Sequence, residues 1–100
     1  ARTLLNHTDP VVRSTAMGVL LNALREPSAP ALATRMLFED PSPEARSSVA
    51  AEVFMWALAE PTRRPQTVAA LHHAAHQDSD DEVRRSALRC LRALQGKGID

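Results

Sequence analysis

The side chains best suited to chemistry in this chain of 100 residues lie in its C-terminal third. His72 and His76 are four apart, so on a helix they share one face about a turn apart. Two imidazoles at that spacing make half of a zinc-type site. The other half is missing: there is no His-Glu-x-x-His pattern, no cysteine is near, and only Asp78 or Asp80 offers a third ligand. The expectation is no native metal and no cofactor, with His72 and His76 the only metal candidates. The ordinary alternative is a pair of half-buried histidines over a thin part of a core. Arg85, Arg89 and Arg92 follow at i, i+4 and i+7, one positive stripe on a helix, with Arg63, Arg64 and Lys97 adding charge. Such a stripe can meet phosphates or acidic side chains. Twelve basic and twelve acidic residues cancel, however, which argues against nucleic acid and for a protein partner. Ser14, Ser47 and Ser48 have no His or Asp at catalytic spacing, and Gly18, Gly96 and Gly98 form no phosphate loop. No catalytic constellation is present, so an enzyme is not expected.

The elements that would carry these residues are helical throughout. Apolar residues recur at helical spacing and no stretch alternates in the manner of a strand. Asp9 before Pro10 and Ser42 before Pro43 read as helix N-caps with proline in the first turn, and Asp80 reads as a third cap. Ser79 and Glu82 also have capping-box spacing, leaving that start open by one residue. The periodicity predicts the last turns of a helix within 1–7, then helices over about 10–24, 30–38, 43–59, 66–77 and 80–95. Connectors at 26–30 and 61–65, each with two prolines, separate them, and Gly96-Lys97-Gly98 should stop the last helix before a frayed Ile99-Asp100 tail. A composition that is 44% hydrophobic, with only Phe38, Phe54 and Trp56 as aromatics, suits closely packed helices around one core. Cys90 is the sole cysteine, which excludes an internal disulfide and fits a reducing, cytoplasmic setting. The longest weakly polar run, Val49 to Ala59, is broken by Glu52 and is too short for a membrane span. The chain starts at Ala1 with no leader pattern, as a segment of a longer protein would.

The three capped helices are versions of one another. Aligning Arg13, Arg46 and Arg84 puts Val12, Ala45 and Val83 before them, Ala16, Val49 and Ala87 three after, and Leu20, Val53 and Leu91 seven after. Arg46 follows Arg13 by 33 residues and Arg84 follows Arg46 by 38. A two-helix unit of that length points to stacked repeats, about 1–26, 27–60 and 61–96. A short helix, an Asp-containing turn, then a helix opening on Val-Arg with small residues behind it resembles the HEAT-repeat family. The resemblance covers nearly the whole chain; armadillo repeats are close relatives, and the tetratricopeptide signature is absent.

That resemblance implies an all-α superhelix, a HEAT-like solenoid of about three helix pairs. It implies a polar ladder of Arg13, Arg46 and Arg84 with Asp9, Asp40, Asp78 and Asp80, in which Asp40 serves the middle unit because Ser42 replaces the acid there. It also implies a concave binding side formed by the second helices. On that side Leu21, Phe54, Met55, Arg85, Arg89 and Arg92 are the candidate partner-binding residues, fit for a segment with an apolar anchor and acidic residues. The implied function is a non-enzymatic protein-interaction scaffold. The alternative is a HEAT-like enzyme or accessory domain, of lyase or DNA-glycosylase type, acting through the basic face.

Overall fold

A computed structural model describes residues 2–96. Three of its helices start where a side-chain oxygen takes up a free N–H. Asp9 accepts from the Val11 N–H at 2.9 Å and opens α1 (Pro10–Gly18). Ser42 accepts from Ala45 at 3.4 Å and opens α3 (Pro43–Ala59). Asp80, rather than Ser79, caps α5 (Asp81–Leu94), accepting from Glu82 at 2.9 Å and Val83 at 3.1 Å. Each such cap contributes about 1 kcal/mol. Between them lie α2 (Ala29–Glu39) and α4 (Arg64–Gln77). All regular secondary structure among the described residues is helical. The expected stop at Lys97-Gly98 and the Ile99-Asp100 tail lie outside those residues.

Three local differences from the sequence reading have physical causes. The segment Arg2–Asn6 is a short 3-10 helix, closed by the His7 N–H on the Leu4 oxygen at 3.1 Å. The helix expected over 10–24 widens after Gly18 into a π turn, Val19–Ala23, with the Leu24 N–H reaching the Val19 oxygen at 2.8 Å. Both Leu20 and Leu21 stay buried through that turn, and Arg25 ends it in the left-handed region at φ 53°. The connector at 61–65 is itself helical: Pro61–Arg63 forms a 3-10 turn running into α4. Arg63 fixes it, donating to the Trp56 carbonyl at 3.0 Å while its guanidinium lies 4.7 Å from the centre of the Trp56 ring.

The helices form two layers. α1 packs against α3, and α3 against α5, while α2 and α4 cover α3 and α5 from one side. A thickness of 17 Å is that of two helix layers. Direction within the first layer is set by two contacts: Arg13 near the start of α1 reaches Asp40 just before α3, and Asn22, in the π turn that continues α1, reaches the Glu52 carbonyl at 3.2 Å within α3. α1 and α3 are therefore parallel. Buried alanines at 29, 33, 45, 50, 57, 70, 74 and 87 let the helices approach closely. Met17, Leu20, Leu21, Leu37, Val49, Leu71 and Val83 fill the space between them, each stabilising by about 1.5–3 kcal/mol through burial.

Candidate functional site

The polar ladder is the most regular feature of the molecule. Arg13 places Nε and Nη2 on the two carboxylate oxygens of Asp40, at 2.9 and 2.8 Å. Arg46 repeats the fork on Asp78, at 2.9 and 3.1 Å. Both are planar two-point pairs, the geometry that makes arginine more selective than lysine. The remaining Nη1 turns back to the arginine's own turn: Arg13 to the oxygens of His7 and Thr8, Arg46 to that of Asp40 at 2.6 Å, Arg84 to that of Asp78 at 2.6 Å. Asp40 thus meets Arg46 with its backbone oxygen, while its carboxylate holds Arg13. Asp9 and Asp80 serve as helix caps. Arg84 pairs with Asp81 of its own helix, a far more exposed contact.

Burial alone would raise the pKa of Asp40. The hydrogen bonds from Arg13 and from the Ser42 N–H, with the charges of Arg13 and Arg46, outweigh it and hold the carboxyl below its ordinary value. The Arg13 guanidinium is raised, chiefly by its bond to Asp40 against the opposing effect of burial. Each rung acid also accepts the N–H two residues on, Ser42 to Asp40 and Asp80 to Asp78, both at 2.9 Å. Ahead of α1, His7 takes that place, its Nδ1 accepting the Asp9 N–H at 3.0 Å.

The six candidate partner residues do not share one surface. Leu21 is 1% exposed and lies in the core, which corrects its assignment to a binding face. Ser14, on the same stripe, is also buried and donates to the Val11 oxygen. The cause is α3, which covers this side of α1 so closely that a Cβ on Gly18 would run into the Glu52 carboxylate. Phe54 is half-buried against the core. Met55, Arg85, Arg89 and Arg92 are exposed. Arg85 donates to Glu82 at 3.2 Å and Arg89 to the Ser86 hydroxyl at 3.3 Å, both weak surface contacts that leave the charges available.

Exposed Leu58, at 48%, joins Met55 at 47%, and Ser48 and Ala51 complete a stripe at 48, 51, 55 and 58 along α3. Its spacing of i, i+3, i+7 and i+10 is the signal that could have marked it. Ala51 and Arg89 are aligned positions, so this stripe and the arginines lie on neighbouring helices. A second apolar patch, Leu4, Val11 and Val19, lies along the N-terminal edge.

His72 and His76 are exposed, not half-buried, with ring centres 4.4 Å apart. His73 packs instead on Phe38, centre to centre 4.5 Å. No group of three His, Cys, Asp or Glu side chains is placed to hold a metal among the described residues. Cys90 is half-buried; burial pushes its thiol up, against the pull of Arg89, which disfavours the reactive thiolate. No helix among the described residues is long and apolar enough to cross a membrane. Comparisons with protein-family models, with curated proteins and with solved structures return no significant match.

Proposed function

We propose that this chain is a HEAT-like α-solenoid module whose function is to bind a protein partner, without catalysis of its own. The observation that carries the reading is the repeated rung, Arg13 on Asp40 and Arg46 on Asp78, which ties successive helix pairs in one register. A fold stabilised by rungs between units uses these charges for stacking and leaves the exposed helix faces to present a surface. That surface is Met55 and Leu58 on α3 beside Arg85, Arg89 and Arg92 on α5. It suits a segment offering an apolar anchor flanked by acidic residues. The arginines act mainly on association rate and weaken with salt, while Met55 and Leu58 act on residence time.

The test is recovery of partners by the wild-type protein and by an Arg85→Glu/Arg89→Glu variant, each checked for folding by circular dichroism. Both side chains are exposed, so the variant should fold and lose the partner. Undiminished recovery would remove this surface from consideration and direct attention to the outer helices α2 and α4.

A further inference from the structure

We propose that His72 and His76 form a two-imidazole site for a divalent transition metal, taking Cu²⁺ in preference to Ni²⁺ or Zn²⁺. This is independent of the partner surface, since the two histidines lie on α4, in the outer layer. Three observations meet there. The two exposed rings stand one helical turn apart with centres at 4.4 Å, within reach of a common ion. His76 lies in the last turn of α4, where the unpaired carbonyls carry partial negative charge that favours a cation. The shallow groove beside them is lined by Pro65, Val68, Ala69 and Gln77, with no charged side chain to repel or neutralise an ion.

The donor set decides the metal. Neutral imidazole suits Cu²⁺, Ni²⁺ and Zn²⁺ and is a poor ligand for Mg²⁺ or Ca²⁺, and affinity across the first row peaks at copper. His73 is held against Phe38 and stays out of the chelate. The remaining coordination positions fall to water, which makes this an exchangeable site. Such a site need not carry metal through purification. Because only the folded helix sets the two imidazoles side by side, binding must stabilise the fold.

The experiment uses the whole protein with Cu²⁺, Zn²⁺ or Mg²⁺ alone as probe. It follows thermal unfolding, and the electron paramagnetic resonance of the copper-loaded form. The expected result is a rise in melting temperature with Cu²⁺ and a smaller one with Zn²⁺, none with Mg²⁺, and a copper spectrum with coupling to two nitrogens. His72→Gln and His76→Gln, both at exposed positions, should each abolish most of the shift, while His73→Gln and His7→Gln keep it. Absence of a shift with copper overturns the site. So does a shift that survives both His72→Gln and His76→Gln, or one lost equally in His7→Gln. Sedimentation showing a metal-dependent dimer would overturn the single-chain assignment and place the ion between copies.

Discussion

Arg46 donates to the backbone oxygen of Asp40 at 2.6 Å while the carboxylate of the same Asp40 holds Arg13. One aspartate therefore joins two long helices, and its loss should be felt by both. Asp40→Asn should destabilise the protein measurably, because it leaves Arg13, whose side chain is only 12% exposed, without its counter-charge. Asp78→Asn should cost a similar amount, from Arg46. Arg84→Ala should cost less, about 1 kcal/mol, since its carboxylate partner Asp81 is exposed. Urea unfolding of the three variants checks the order; equal losses would contradict it.

The same aspartate sets an acid limit. Its pKa is lower folded than unfolded, so its contribution is complete above the ordinary carboxylate range, near pH 4, and fades as the pH falls through the folded value. The stability gap between wild type and Asp40→Asn should accordingly be constant near neutrality and shrink below about pH 4. Unfolding curves across that range measure it, and a gap that widened in acid would reverse the sign.

Gly18 stands in helical conformation against Glu52. Alanine is worth about 1 kcal/mol over glycine in a helix, but here its methyl displaces a carboxylate that lies 3.4 Å from the Asn22 amide. Gly18→Ala should be close to neutral alone and stabilising by about 1 kcal/mol in a Glu52→Ala background. A double-mutant cycle reads the coupling.

Thr67 is 2% exposed and its hydroxyl oxygen has no hydrogen-bond partner among the described residues. Leu21, Val53 and Trp56 line the small void beside it. Thr67→Val keeps the shape and removes the stranded polar atom, so it should raise stability by about 1 kcal/mol in thermal unfolding.

The α-helices and their caps were legible because they rest on local spacing: Asp9-Pro10, Ser42-Pro43 and Asp80 each act within one turn. The ladder set was not: Asp9 and Asp80 act as caps, and Arg84 pairs with Asp81. The pairing within the ladder was not, because Arg13 and Asp40 are 27 residues apart and only stacking shows that the acid reaches backwards. Leu21 was misplaced for a related reason. Aligned with Arg92 it occupies the same position in its helix, but α3 covers α1 while nothing among the described residues covers that side of α5. Aligned positions in two similar helices share a direction, not an environment. The π turn after Gly18 left no mark in the apolar periodicity.

His7 occupies the place that Asp40 and Asp78 hold in the later turns, and it accepts the same backbone N–H. Locally the substitution changes little. An imidazole there still holds the turn, but it offers no carboxylate for a two-point arginine pair, so the fork that Arg13 places on Asp40 and Arg46 on Asp78 has no counterpart at this turn among the described residues.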